Sequence, residues 1–296
     1  MIIVKISGGL GNQLFQYSFG RYLAIKHNVP LKLDLQLNIK VATFTPRSFG
    51  LSKFNLEAAI ASPAEVKKFR CFSHGIFARF ERKLIEHFPL INKKVVIEKP
   101  FIRLPDVALQ NGRYYDGYFQ SEVYFKPIEE QLREELQLNL ALNSQNKSFL
   151  YQIINNISVS LHIRRGDYLS IKANSSIFNT CSLSYYQAAV ARFKALFPEA
   201  IFFIFSDDIA WAKENFKGAD YQIVDVNSDD PHADLYLMSH CKHHITANSS
   251  FSWWGAWLNQ HKDKQIITPA SWYKDVKLDQ LAIASILPGS WIKLLN

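Results

Sequence analysis

Two adjacent arginines, Arg164 and Arg165, followed by Gly166, Asp167 and Tyr168, are the residues of this 296-residue chain best suited to holding an anion. Guanidinium is planar, permanently charged and bidentate, which suits it to a diphosphate. Asp167 is expected to orient one arginine and leave the other for substrate. Three more polar clusters follow: Ser206-Asp207-Asp208, Asn227–Asp230 and Asn248-Ser249-Ser250. Helix capping explains each of these taken singly. All of them following apolar runs, in company with an arginine pair, point to one binding rim. Near the start stands a glycine loop, Ser7-Gly8-Gly9-Leu10-Gly11-Asn12. Such a loop lets backbone N–H groups approach a ligand and aims a helix N-terminus at it. It is not the dinucleotide fingerprint, because Leu14 stands where the third glycine belongs, and no Gly-Lys-Ser/Thr makes it a Walker loop.

The elements that must position these residues are legible as periodicity. Ile2–Ile6 reads as a strand, and Leu14, Phe15, Ser18, Phe19, Tyr22 and Leu23 fall at helical spacing behind the loop, with Asn12 or Gln13 at the helix start. Leu31–Leu35, Val95–Glu98 and Tyr114–Phe119 read as further strands, 65–72 and 77–88 as helices, and Pro127 opens a helix to about Leu138. The polar stretch 140–148 is the expected linker, dividing a domain 1–140 from a domain 148–296. The second half alternates regularly. Strands at 157–163, 201–205, 221–226, 244–247 and 265–268 are separated by helices at 184–197, 209–216, 233–240 and 251–260. That rhythm predicts a parallel, doubly wound α/β sheet with the polar clusters at the carboxyl ends of its strands, where ligands of such sheets collect.

Three features are weighed and set aside. His240-Cys241-Lys242-His243-His244 has metal-ligand residue types, but they are packed too closely to face one ion. Trp253, Trp254 and Trp257 sit at helical spacing and read as core. The chain has no Asp-x-Asp; its carboxylate pairs, Asp207-Asp208 and Asp229-Asp230, are adjacent, a poorer match to a Mg²⁺ site on a sugar nucleotide.

A hydrophobic content of 48% with 20% charged residues describes a globular protein, and the net charge of +8 favours an anionic partner. No basic run of nucleic-acid type is present, so nucleic acid is not expected. No apolar run reaches the ~18 residues of a membrane span. Three scattered cysteines, Cys71, Cys181 and Cys241, fit a reducing compartment.

His162-Ile163-Arg164-Arg165-Gly166-Asp167 resembles the HxRRxD motif shared by α-1,2-, α-1,6- and protein O-fucosyltransferases. The segments 8–13, 117–122, 205–208 and 248–255 are similar to motifs of glycosyltransferase family 11, the α-1,2-fucosyltransferases. These matches run in order along nearly the whole chain, although residues 40–110 carry no motif. The resemblance implies a GT-B fold, two Rossmann-like halves facing a cleft, with the donor on the second half. It implies inverting transfer from GDP-β-L-fucose to the 2-hydroxyl of a galactose, in an oligosaccharide or glycolipid acceptor, with no metal and no other cofactor. By motif position Arg164 would clamp the β-phosphate, while His162 and Asp234 would contact the nucleoside. Ser249 and Ser250 would meet the phosphates, and Asn12 would lie near the fucosyl group. Gly9, Leu10, Gly11, Arg165, Asp167, Ser206, Asp207, Asp208, Asn248 and Phe251 complete the expected binding set. Asp116, among aromatic residues, and Glu122 are the expected candidates for a base. Only seven residues precede Gly8, which implies a bacterial-type cytoplasmic enzyme working on a surface-polysaccharide precursor, with peripheral contact at the inner membrane face. Two alternatives remain: a transferase of the same fold using another nucleotide sugar, and a non-catalytic carbohydrate-binding protein.

Overall fold

The computed structural model describes residues 1–35, 48–72 and 75–296, without the side chains of Asp167, Ser170 and Ala173. The chain forms two α/β units, one of Met1–Gln137 with Ala284–Ile286, the other of Leu138–Ile283 with Leu287–Asn296.

The first unit holds a parallel five-stranded sheet. Its strands are β1 (Ile2–Lys5), β2 (Leu31–Asp34), β3 (Ala59–Ile60), β4 (Val95–Ile97) and β5 (Tyr114–Asp116), in the order β3-β2-β1-β5-β4. Ile2, Ile3 and Val4 are fully buried, as expected of a central strand covered on both faces. The helix Leu10–His27 packs on this sheet closely enough that a Cβ at Gly20 would stand 2.7 Å from Val4 Cγ2 and 2.8 Å from Leu31 Cδ1. Phe19 stacks on Phe119 with centroids 3.8 Å apart, and Tyr115 and Tyr124 meet the same ring edge-on. The Tyr114–Phe119 aromatics are therefore largely core. Tyr114 donates a 2.7 Å hydrogen bond to the buried Asp34 carboxylate.

The second unit holds a six-stranded parallel sheet. Its strands are β6 (Ser158–Ile163), β7 (Ile201–Ser206), β8 (Tyr221–Val224), β9 (His243–Ile245), β10 (Ile266–Pro269) and β11 (Ile292–Leu294), in the order β11-β10-β9-β6-β7-β8. The chain runs outward from β6 through β7 to β8, then returns to lay β9 on the other side of β6. The strand order reverses between β6 and β9. In open α/β sheets such a reversal splays the following loops apart and opens a crevice at the carboxyl ends. One helix that shields this sheet, Leu183–Leu196, buries Tyr185, Tyr186, Ala189 and Phe193.

The alternation of strands and helices expected for the second half is present, with ends shifted by at most two residues. Three expectations need correction. The polar stretch taken as a linker is helical from Ser144, because Asn143 caps the helix Ser144–Asn155 by accepting from the Asn146 N–H. The strand at 265–268 is the last one expected, but the helix Val276–Ile286 and a sixth strand, β11, follow it. The helix expected from Pro127 begins as a 3-10 turn, Lys126–Ile128, before the α-helix Glu129–Glu135. Short helices Gly166–Ser170 and Lys172–Ser175 also occupy the loop after β6.

Candidate functional site

The arginine pair is placed by strand register. His162 pairs with Phe205 and Ile163 with Ser206, so the chains leave the sheet with Arg164 beside Asp207 and Arg165 beside Asp208. The contacts follow that register. Arg164 Nη1 lies 3.0 Å from Asp207 Oδ2, and Arg165 Nε lies 3.5 Å from Asp208 Oδ2. Asp207 Oδ1 also accepts the Arg165 N–H at 2.8 Å. The Arg165 guanidinium stands 4.3 Å over the Trp211 ring, a cation–π contact that fixes its plane. The Arg164 guanidinium lies 5.7 Å over the Tyr168 ring. The side chain expected to orient one of the two arginines, Asp167, is outside the described residues. The described carboxylates on the pair are Asp207 and Asp208, from the neighbouring strand. Asp208 also caps the helix Ile209–Asn215 through the Trp211 N–H, and Ser206 Oγ accepts the Asp208 N–H at 2.9 Å. At Gly166 a Cβ would stand 3.0 Å from Asp207 Oδ2, so any larger residue would crowd the carboxylate that holds Arg164.

The loop after β9 faces this pair across the switch point. Asn248 is buried and spends its amide on the carbonyls of Asn179 and Trp272. Ser249 caps the helix Ser250–Leu258, its Oγ accepting from the Phe251 N–H at 3.2 Å. Tyr168 donates to the Asn248 carbonyl at 2.9 Å, tying the loop after β6 to the loop after β9. Between them sits His162, 5% exposed, its ring 5.7 Å from Phe251 and its Nδ1 without a hydrogen-bond partner among the described residues. Burial, reinforced by Arg164 and opposed by Asp207, pushes this imidazole down to about 3, so it is neutral at physiological pH. Asp234 lies in the first turn of the helix Pro231–His240, with Asn227 donating to it at 2.9 Å. Asn227 is itself held by a reciprocal amide pair with Asn146. Burial raises the Asp234 carboxyl to about 7, and Asp230 adds to the rise.

In the first unit the glycine loop is fixed by two buried glutamines, Gln13 from the motif itself and Gln16, which the motif reading passed over. Gln16 accepts the Ser7 N–H and donates to the Gly117 carbonyl, both at 2.9 Å; Gln13 donates to the Gly8 and Ser48 carbonyls. The available signal was polar residues at i and i+3 on an otherwise apolar helix face. The helix start differs from expectation: Gly9 is the cap residue, with no side-chain cap, so neither Asn12 nor Gln13 fills that role. Asn12 instead accepts from Gln120 at 2.9 Å.

Gln120 also lines a cavity of about 230 Å³, together with Lys5, Arg82, Glu98, Phe101, Asp116 and Tyr118. Asp116 is 5% exposed and ringed by cations: Lys5 at 3.2 Å, Arg82 at 3.4 Å and Arg70 at 3.6 Å. Glu122 stands half-buried at the head of the 3-10 turn Glu122–Tyr124. The sequence reading missed Glu98. Its Oε2 accepts the Tyr118 and Phe119 N–H groups at 2.9 and 2.7 Å, and burial raises its carboxyl to about 7. Gly117 permits this approach, since a Cβ there would stand 2.5 Å from Glu98 Cβ. Phe101, with φ of 58°, and Phe119, with φ of 52°, hold a left-handed backbone that bulky residues rarely adopt. Strain of this kind is maintained only where the surroundings enforce it, and it collects at ligand sites.

The histidine-rich segment serves packing. His240 hydrogen-bonds the Tyr236 carbonyl, His243 stacks on Phe197 and His244 contacts the Asn259 amide. Trp253 and Trp254 are fully buried.

The profile of Glycosyl transferase family 11 matches residues 1–293. The chain is 34% identical, over 99% of its length and 99% of the relative's, to Alpha-1,2-colitosyltransferase of Escherichia coli. It is 30% identical, over 98% and 99%, to O-antigen biosynthesis glycosyltransferase WbnK of Escherichia coli. It is 27% identical to Galactoside alpha-(1,2)-fucosyltransferase 2 of Bos taurus, over 48% of this chain and 44% of that one.

Proposed function

The chain belongs to Glycosyl transferase family 11, and from that premise we propose that it transfers L-fucose, with inversion, from GDP-β-L-fucose to the 2-hydroxyl of a galactose, giving an α-1,2-fucoside. The observation that carries this reading is the rim at the β6/β9 switch point, where an oriented arginine pair faces a serine-capped helix start. Breaking the anomeric C–O bond leaves charge on the β-phosphate while the sugar becomes oxocarbenium-like. Arg164 stabilises that leaving group, and Ser249, Ser250 and the positive N-terminal end of the helix Ser250–Leu258 bind the diphosphate. Asp207 and Asp208 hold the arginine planes. The neutral His162 and the partly protonated Asp234 hydrogen-bond the nucleoside rather than pair with it ionically.

The acceptor hydroxyl is a weak acid, and a carboxylate base accelerates its attack by about 10²–10⁴-fold. Asp116, already engaged by three cations, is poorly placed to take that proton. Glu98 is the better candidate: one oxygen is anchored by two N–H groups, its carboxyl is raised to about 7, and it lines the same cavity. Asn12 and Gln120 then position the acceptor beside it. The leaving group's charge is met by fixed protein groups, so the reaction runs without a divalent metal.

A second reading has its own support. The relative at 34% identity is a colitosyltransferase, and colitose is fucose lacking the 3-hydroxyl. A site that hydrogen-bonds that hydroxyl rejects the deoxy sugar strongly, whereas an apolar patch there does not. The experiment is a panel of GDP- and UDP-sugars with lactose, scored for product linkage and released nucleotide. Turnover of GDP-fucose to an α-1,2 product supports the first reading, and preference for GDP-colitose the second. Sugar binding with no turnover of any donor would overturn both.

A further inference from the structure

The outer face of the helix Gly75–His87 does not look like the outside of a helix packed only on its own unit. Such a helix buries one apolar stripe and shows polar residues elsewhere. This one buries Ala78, Glu81 and Ile85 against the sheet, yet its solvent side carries a second apolar stripe. Phe77, Phe80, Leu84 and Phe88 follow the i, i+3, i+4 spacing of one helix face. Ile76, Phe77, Phe80, Phe88, Leu90 and Ile91 are all between 60% and 80% exposed. Phe72 extends the patch by stacking on Phe77 at 5.5 Å. Scattered exposed apolar residues are ordinary, but a contiguous run of this kind marks an interaction surface.

The charge around the patch identifies its partner. Residues 66–97 contain eight Lys and Arg against two acids, a net +6 out of the chain's +8. Lys67, Lys68, Arg79, Lys83, Lys93 and Lys94 are exposed beside the apolar residues. The two acids are both engaged, Glu81 buried on Arg70 and Glu86 on Arg82. Aromatic and aliphatic side chains rimmed by cations, with no exposed counter-charge, fit an anionic lipid surface. The rings enter the headgroup–acyl boundary while the cations meet lipid phosphates. We propose that the helix Gly75–His87, with Phe72 and residues 88–94 beside it, docks the protein on an anionic lipid bilayer. Among the described residues no helix is long and apolar enough to cross a membrane, so this contact is peripheral.

The test is flotation of the intact protein with vesicles of zwitterionic lipid alone and with about one third anionic lipid. Binding is expected only to the anionic vesicles, and added salt should weaken it, because the cations act through screened attraction. Phe77→Ser/Phe80→Ser and Arg79→Glu/Lys83→Glu should each lower the bound fraction about tenfold or more, with melting temperatures unchanged. Four results would overturn the proposal: no flotation of the wild type, equal flotation on both lipids, flotation unaffected by either double substitution, or sedimentation of a dimer that Phe77→Ser/Phe80→Ser dissociates. The last would assign the face to a second copy of the chain. Vesicle binding is read without turnover, so the donor panel can fail independently.

Discussion

At the scale of single residues, the proposed function divides the site into groups that would touch phosphate and groups that would hold those groups still. Arg164→Lys keeps the charge but loses the bidentate fork. Its kcat is expected to fall on the order of 10²–10³-fold, with GDP affinity less affected, since the lost interaction strengthens as charge develops. Near wild-type turnover in a folded variant would remove Arg164 from the mechanism. Glu98→Gln is nearly isosteric and still accepts the Tyr118 and Phe119 N–H groups, so it is expected to fold. If Glu98 is the base, kcat in the wild type rises with pH through about 7, and Glu98→Gln lowers kcat about 10²-fold or more and loses that limb. The charged and titratable neighbours to be controlled are Lys5, Arg82, Asp116, Tyr118 and Tyr124. An unchanged kcat in Glu98→Gln returns the role to the candidates named from the sequence, Asp116 and Glu122, to be separated by Asp116→Asn and Glu122→Gln. Arg164 was legible through its company, because an arginine pair at a strand end gains meaning only beside the polar clusters at 206–208, 227–230 and 248–250. Glu98 was not, because a lone glutamate after a short strand looks like any solvated charge until the backbone of residues 117–119 folds over it.

At the scale of elements, strand register does the positioning. The pairing of Ile163 with Ser206 sets Arg164 and Arg165 against Asp207 and Asp208, and no periodicity in the sequence reports which strands will be neighbours. The strands themselves were readable from their apolar runs. Their order, and hence the switch point between β6 and β9, was not. The helix start holding Asp234 offers a test of the electrostatics. Its carboxyl has a folded value of about 7 against an ordinary 3.8, so the folded chain retains a proton that the unfolded chain releases. The resulting stability is complete below about pH 4 and is lost as pH rises through about 7. Asp234→Asn removes that dependence, and its melting temperature should gain on the wild type as pH is raised from about 4 to 8. A constant difference across that range would show that Asp234 is not desolvated. His162 works in the opposite sense: with its folded value near 3, the neutral ring costs stability as pH falls below its ordinary 6.5.

At the scale of the whole molecule, the fold and family were both legible from ordered motifs, whereas the surface was not. The basic charge announced an anionic partner, but only the folded chain separates the arginines of the β6 rim from the lysines around the Phe77–Phe80 stripe. Composition sums charges that the fold sends to two different surfaces. The same distinction governs the metal question. A sugar nucleotide's diphosphate must be neutralised as it leaves, and either Mg²⁺ or fixed cations with helix N–H groups can do this. The carboxylates that would hold Mg²⁺ at the rim, Asp207 and Asp208, are instead paired with Arg164 and Arg165. The most direct measurement is the initial rate of transfer from GDP-fucose to lactose by metal-free protein, with and without excess EDTA. The account predicts a rate almost unchanged by the chelator and at most modestly raised by added Mg²⁺ or Mn²⁺. A rate that collapses under EDTA and returns with a divalent ion would contradict it, and would make Asp207 and Asp208 metal ligands rather than arginine partners.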